Sequence, residues 1–484
     1  MITLIISISV LVFGYILYGK FAERMMQVDS SATTPAIKIN DGVDYTPLQV
    51  WKIFMIQFLN IAGLGPIFGA ILGAAYGPMA YIWIVLGCIF MGSSHDYFAG
   101  MLSLRNNGAS LPELVGKYLG NGTKVFLRFF TLILLIFVGV AFVSGPAKLL
   151  TALTSLNLNV WLILIFGYYF IATLFPVQKI IGKIYPIFGA VLIIMALMIF
   201  AMMIFKQASG AMVLHELSIS DFKNFHSGAD TNLLYPMMFI VISCGAISGF
   251  HATQSPMMAR CLTNEKQGKF AFYGAMIAEG IVAIIWATAA MNYFGDVHGL
   301  NYTMGAGAHD PAWIVNEICN TWFGQVGAII AILGVVFCPI TTGDTAFRSA
   351  RLTIADAFKI DQKKLTNRLA VSAPIFAIGI VLTFILSSQF ATIWKFVGIS
   401  NQILAAITLW TIAMYFALNK KPHWIMSIPA FLLTTICFTY LFIAPIKNGV
   451  MSLSHNLSYV LGILLSMIVS IIWFSYYRKK KVKK

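Results

Sequence analysis

Residues 50–75 read VWKIFMIQFLNIAGLGPIFGAILGAA, an apolar stretch of membrane-crossing length interrupted at Gly63-Leu64-Gly65-Pro66. Residues 233–258 read LLYPMMFIVISCGAISGFHATQSPMM and are interrupted in the same way at Gly245-Ala246-Ile247-Ser248-Gly249. Glycine admits backbone conformations that other residues resist, and proline removes an amide donor and collides with the preceding turn. Lipid cannot satisfy the carbonyls and amides that an unwound turn frees, so such a turn survives only where it lines a protein-walled cavity. Matched, glycine-interrupted hydrophobic segments in two halves of a chain mark the binding site of a secondary transporter. The two breaks thus point to fold and site together.

The rest of the chain agrees. Of its 484 residues, 59% are hydrophobic and 10% charged, and the mean hydropathy is +0.84. An ordinary soluble domain carries about 25% charged residues. An all-α polytopic membrane protein is expected, with about thirteen transmembrane helices: 2–18, 50–75, 79–103, 124–146, 159–177, 184–205, 233–258, 270–294, 325–347, 370–388, 392–418, 424–444 and 457–477. Ile2–Tyr18 lacks a basic n-region and a small-residue cleavage site, and reads as a retained first helix. The net charge of +15 follows topology. With the N-terminus outside and the C-terminus cytoplasmic, 27 of the 32 Lys and Arg fall inside, and only Lys148, Lys206, Lys223, Lys395 and Lys447 fall outside. The basic tail from Arg478 suits anionic lipid, and no nucleic-acid partner is expected. The six cysteines show no CxxC and no metal-like spacing, so neither disulfides nor a bound metal cofactor are expected.

The spans divide into residues 1–49 (an extra helix and cytoplasmic loop), 50–205 (a first five-helix repeat), 206–232 (an extracellular loop), 233–418 (a second, inverted repeat) and 419–484 (two further helices and the tail). Gly63 and Gly245 open the two repeats, and their third helices carry Gly139-Val140-Ala141-Phe142 and Gly334-Val335-Val336-Phe337. Five is odd, so the second repeat enters from the opposite side, giving a pseudo-two-fold axis in the membrane plane. Residues 295–324 suit an external gating segment. Ser110-Leu111-Pro112-Glu113 reads as an N-cap and first-turn proline that open a short cytoplasmic amphipathic helix.

Ionisable groups inside spans are costly, about 2.5–3.5 kcal/mol each at a helix centre, so each needs a partner or a purpose. Asp344 lies among Thr341, Thr342 and Thr345, five residues after Pro339, which frees a carbonyl one turn earlier. Such oxygen donors suit Na⁺, and the carboxylate equally suits a coupling proton; the plainer reading pairs Asp344 with Arg348. His95-Asp96 reads either as a proton relay or as two interhelical hydrogen-bonding groups. Glu279, between Ala278 and Gly280, reads either as a coupling group or as an interhelical bond. His251 and Gln254 follow the second break and reach toward the expected cavity. A half-helix beginning after Gly65 presents free amides to a carboxylate, so Gly63, Leu64, Gly65, Gly245, Ser248 and Gly249 are the expected substrate-binding backbone. Phe68 and Phe142, with Tyr76 and Phe250, are candidate walls.

At these motifs the chain resembles the carbon starvation CstA family of bacterial transporters. The resemblance is carried by Asn60-Ile61-Ala62-Gly63-Leu64-Gly65-Pro66-Ile67-Phe68-Gly69, by His95-Asp96-Tyr97 through Arg105, by Ser255-Pro256-Met257, and by Gly343-Asp344-Thr345-Ala346-Phe347-Arg348-Ser349-Ala350-Arg351. It implies a LeuT-type five-plus-five inverted repeat in the amino acid–polyamine–organocation superfamily, a peptide or pyruvate substrate, and a bacterial cytoplasmic-membrane location. By analogy it also implies an ion, H⁺ or Na⁺, with Na⁺ between the Gly63 region and Thr341, Thr342 and Thr345. The expected function is proton- or sodium-coupled uptake of a small carboxylate-bearing nutrient by alternating access. The alternatives are a non-transporting membrane sensor and, less well supported, a channel or an intramembrane enzyme. The oligomeric state is not legible.

Overall fold

A computed structural model describes residues 1–176, 181–386, 390–443 and 453–482. The expected span ends at 177, 387–388 and 444, and Lys179, Lys447, Lys483 and Lys484 of the charge count, lie outside these residues. Among the described residues the chain is all helical, without strands. Ten helices are long and apolar enough to cross a membrane, or eleven when the bent pair Val50–Ala62 and Gly65–Ala74 is taken as one span.

In chain order the helices that matter here are α1 (Ile2–Met26), α2 (Val50–Ala62), α3 (Gly65–Ala74), α4 (Met79–Arg105), α5 (Leu111–Leu119), α6 (Asn121–Leu153), α7 (Leu158–Leu174) and α8 (Ile181–Ala208). They continue as α9 (234–241), α10 (His251–Ala259), α11 (Lys269–Tyr293), α12 (Val297–Met304), α13 (Pro311–Phe358), α14 (Leu365–Leu386), α15 (Phe390–Leu418), α16 (Trp424–Ile443) and α17 (His455–Val482). The expectation of about thirteen spans also counted α7, an apolar helix of 17 residues, and the broken α9–α10 segment, neither of which reaches full crossing length alone.

Several helices outrun the expected spans where charged residues follow the apolar run. α1 continues to Met26, α6 to Leu153 and α8 to Ala208, because a helix extends into the interface where hydropathy no longer favours lipid. Their starts are set by local chemistry. Asn157, Asp296 and Asp310 accept the amides of Val160, Gly299 and Trp313 at 3.0, 2.8 and 2.9 Å, capping α7, α12 and α13. The external segment expected over 295–324 is thus helical, and α13 kinks at Gly324, where φ is +64°. α5 begins where expected, but Pro112 is its second residue and the Ser110 hydroxyl caps nothing.

α2, α3, α4, α10 and α11 pack as one bundle, and α6, α7, α13 and α14 as another, with α13 running along α6 and α8 and reaching α2. α1 and α17 are mostly exposed, presenting residues such as Phe13, Leu17, Ile471 and Ile472, the pattern of helices facing lipid. α4, α11 and α15 are buried along most of their length, which lets them carry polar groups away from lipid.

Candidate functional site

The first break spans Gly63 and Leu64, between α2 and α3, which meet at 53°. Gly63 takes φ +22° and ψ −141°, and a Cβ there would lie 2.8 Å from the Phe142 ring, so both backbone and space require glycine. The second break is wider than expected. α9 ends at Val241 and α10 starts at His251, leaving 242–250 non-helical, so the unwinding begins three residues before Gly245. Neighbours satisfy its backbone: Trp83 Nε1 donates to the Ile242 carbonyl at 3.0 Å, and the Gly249 amide donates to the Asn401 carbonyl at 3.1 Å. The breaks touch, since a side chain on Gly65 would collide with Cys244.

Beside this contact lies a buried chain of ionisable groups. His95 Nδ1 is 2.8 Å from Asp96 Oδ1, and His251 Nδ1 is 2.9 Å from Asp96 Oδ2. His251 Nε2 then faces Glu279 Oε2 at 3.6 Å, and all four side chains are fully buried. Three helices contribute: α4 supplies the His–Asp pair, α10 supplies His251 from its first turn, and α11 supplies Glu279. The neighbours His95 and Asp96 do touch, although adjacent helical positions diverge by about 100°. The Glu279 oxygens and His251 Nε2 make no hydrogen bond. Cys244 Sγ, a His251 nitrogen and a Glu279 oxygen lie within 4.8 Å of one another, a proximity that the sequence spacing did not suggest. Two imidazoles and two carboxylates at these distances form a set of groups able to exchange protons.

Asp344 sits elsewhere. It accepts hydrogen bonds from the Tyr185 hydroxyl and, at 3.3 Å, from the Thr173 hydroxyl, which join α13 to α8 and α7. No ion pair links it to Arg348 among the described residues, so the helical pairing of those two does not form. Thr341 and Thr345 donate back to carbonyls of their own helix, while Thr342 donates to Cys338 at 3.0 Å and across to Leu59 at 2.9 Å. That last bond bridges α13 to the end of α2, beside Gly63. Gln254 donates to Thr253 and accepts from Ser349 at 3.3 Å, turned toward α13 and away from the histidines. Ser248 is buried in the second break.

Phe142 meets Phe250 edge to face at 6.4 Å between ring centroids, and Trp394 of α15 lies 6.4 Å from both Phe68 and Phe142. On one side of this aromatic group a vestibule of about 230 Å³ is lined by Tyr76, Asn232, Trp394, Lys395 and Tyr440. At the start of α2, the end remote from Gly63, arginine–carboxylate pairs tie the preceding loop to α13. There Asp44 pairs with Arg351 at 3.1 Å and Arg348 at 3.6 Å, Arg260 pairs with Asp356 at 3.1 Å, and Arg105 pairs with Glu265 at 2.7 Å. Burial pushes the Asp44 carboxyl up, but the guanidinium groups of Arg351, Arg348 and Arg260 outweigh it and hold its pKa below the usual carboxylate value.

The family Carbon starvation protein CstA matches residues 1–152, 144–323 and 303–440. The chain belongs to the CstA family. It is 42% identical over 346 residues to an uncharacterized membrane protein of Haemophilus influenzae, covering 62% of this chain and 93% of that one. It is 27% identical to the pyruvate/proton symporter BtsT of Escherichia coli (83% of this chain, 64% of that one) and 23% identical to the peptide transporter CstA of Helicobacter pylori (92% and 82%). The chain thus spans just under two thirds of BtsT. Its fold is similar to Mhp1, a nucleobase-cation-symport-1 family transporter (TM-score 0.51, 14% identity, 90% and 93% covered). It is equally similar to a Na⁺-coupled sialic acid symporter (TM-score 0.51, 13% identity, 96% of both chains). Both have the LeuT fold, so this CstA member is a multi-pass membrane protein of that class.

In this CstA-family chain the folding brings Gly63, Gly65, Phe68, Phe142, Gly245 and Gly249 to the two breaks and unites His95, Asp96, His251 and Glu279. It leaves Asp344, Thr341 and Thr345 on a separate face. Sequence reading passed over Trp394, Tyr185, Cys244 and Asp44. Trp394 and Tyr185 look like any of the many aromatics. Asp44 had a signal: Arg348 and Arg351 are buried one turn apart in an apolar helix, and Asp344, the carboxylate four residues before Arg348, does not pair with it.

Proposed function

We propose that this CstA-family chain is a secondary transporter that takes up a small carboxylate-bearing solute, a short peptide or pyruvate, together with protons by alternating access. The observation that carries the reading is the fully buried His95–Asp96–His251–Glu279 chain set against the touching breaks. Groups this costly inside a membrane protein are kept for ion movement. The breaks supply helix ends for a carboxylate. The pyruvate and peptide substrates named for its relatives both carry one. The thirteen-span, five-plus-five inverted arrangement, with the N-terminus outside and the arginine end facing the cytoplasm of a bacterial inner membrane, belongs to the same proposal. It agrees with the Lys and Arg count along the chain.

The Thr342–Leu59 bond beside Gly63 favours a second reading, Na⁺ held among Gly63, Thr341, Thr342 and Thr345. Proteoliposomes separate the two. Labelled pyruvate and dialanine are expected to accumulate under an inward proton gradient without sodium. Accumulation only with a sodium gradient selects the second reading, and no accumulation of either solute under either gradient refutes both.

A further inference from the structure

We infer that Arg348 and Arg351 form a carboxylate-receiving site on the release path, which Asp44 occupies while that end is closed. The inference rests on the reading that the solute bears a carboxylate. Both guanidinium groups are fully buried, and Asp44 is 2% exposed. One carboxylate serves both: Asp44 Oδ1 lies 3.1 Å from Arg351 and 3.6 Å from Arg348. Arg260, stacked over Tyr45, is engaged by Asp356 and the Gly108 carbonyl instead, so it does not share Asp44 by hydrogen bond.

The donors outnumber their acceptors. Arg348 Nε and Nη1 and Arg351 Nε are buried without a hydrogen-bond partner, although a guanidinium offers five donors in a fixed fork. The site also lies on a polar seam. Thr253 and Pro256 of α10, with Arg260 just after its end, face Ser349, Leu352 and Thr353 of α13 around a hollow of about 10 Å³, room for a single water. Thr253 ties this hollow to the second break by donating to the Phe250 carbonyl at 2.6 Å, and Arg348 and Arg351 adjoin its Ser349 and Leu352 along α13.

Asp44 lies in the loop that leads into α2 and ties that loop to α13 through Arg348 and Arg351. Opening that end requires its carboxylate to leave Arg348 and Arg351. A buried guanidinium stripped of its anion is strongly disfavoured, so another anion must replace it. A solute descending the seam brings one, and the bidentate fork matches a carboxylate. Asp44 and the solute then compete for the same donors: one closes the exit, the other passes through it.

The test uses the purified full-length chain and acetate as the minimal carboxylate, with chloride at equal ionic strength as control. The melting midpoint of Asp44→Asn should rise saturably with acetate. The wild type should need roughly tenfold more acetate for the same rise, the worth of one displaced charge-assisted pair. Adding Arg351→Gln to Asp44→Asn should abolish the response. A monodisperse Asp44→Asn protein that ignores acetate, or responds no better than wild type, overturns the inference.

Should Asp44→Asn not fold, Arg351→Lys keeps the charge and loses the fork. In vesicles its half-saturation for pyruvate on the release side should rise about fivefold while the uptake side is unchanged. Equal changes on both sides, or none, overturn the inference. The acetate response needs no transport, so vesicles that accumulate no carboxylate while the response persists would sink the functional reading alone.

Discussion

Glu279→Gln should uncouple transport without unfolding the protein. Among the described residues the carboxylate oxygens of Glu279 make no hydrogen bond, and the ionisable His251 Nε2 is 3.6 Å away. A neutral side chain of the same shape therefore removes no bond and leaves the His251–Asp96 contact at 2.9 Å in place. The melting midpoint should move little. Asp96→Asn is the contrasting case: it strips the partner from two buried imidazoles and should cost about 3–5 kcal/mol. Coupling behaves differently. On the proposed reading, one proton carried with each monocarboxylate makes transport electroneutral. A proton gradient of one pH unit then carries about 1.4 kcal/mol, equal to a tenfold accumulation. Wild-type vesicles with an interior one unit more alkaline should concentrate pyruvate about tenfold, and Glu279→Gln vesicles should show no concentrative uptake. Exchange of labelled for unlabelled pyruvate should persist, because it needs no net proton movement. A Glu279→Gln protein that still concentrates pyruvate tenfold refutes the assignment of coupling to this cluster.

Asp344→Asn provides the counterpart: the sequence alone makes it the leading coupling group, yet its carboxylate is held by Tyr185 and Thr173, so it should lower stability by about 1–3 kcal/mol and leave proton-driven accumulation intact. Loss of accumulation in folded Asp344→Asn vesicles would return coupling to that residue. Gly63→Ala combines a strained φ of +22° with a Cβ 2.8 Å from Phe142, about 1–3 kcal/mol for each. Its midpoint should fall and its transport should be lost, and Phe142→Ala should rescue the packing part only, as a double-mutant cycle in thermal unfolding would show. Because the Asp44 pKa is depressed, the stabilisation its pair gives is fully present above the ordinary Asp value of about 4 and is lost only as pH falls through the lower folded value. Closure of that end should therefore not titrate between about pH 5 and 8, and in uptake assays over that window Asp44→Asn should keep the wild-type pH profile while Glu279→Gln flattens it.

What could be read along the chain was whatever leaves a local mark. Glycine clusters inside apolar runs located both breaks. Gly139–Phe142 marked a helix whose Phe142 does press on Gly63. The site's wiring left no such mark. His95 and Glu279 are 184 positions apart, and only the packing of α4, α10 and α11 sets them in one chain. The same blindness misplaced Asp344: helical spacing offered Arg348 as its partner, but Arg348 turns to Asp44 and to the carbonyls of Ala172 and Phe175. The second break began earlier than its glycines because Trp83 of α4, unseen from local sequence, takes the Ile242 carbonyl out of helical register. Hydropathy likewise underestimated helix length, since it records where lipid stops and not where hydrogen bonding does.

The contact between the breaks explains why proton and solute would travel together. Gly65 opens α3, and the missing side chain there lets Cys244 of the second break come against it. Cys244 is at the same time within 4.8 Å of the His251 and Glu279 donor atoms. On the proposed function, a carboxylate bound at the helix ends brings its negative charge to the edge of the His251–Glu279 cluster. Inside a water-poor site either charge alone is costly, whereas an added proton offsets an added carboxylate. On this reading the loaded carrier, with both, and the empty carrier, with neither, are the two forms that cross between states, and the half-loaded form stalls. Coupling then needs no dedicated wire between distant sites. It follows from two glycine-bounded turns and one acidic cluster sharing the width of a single side chain.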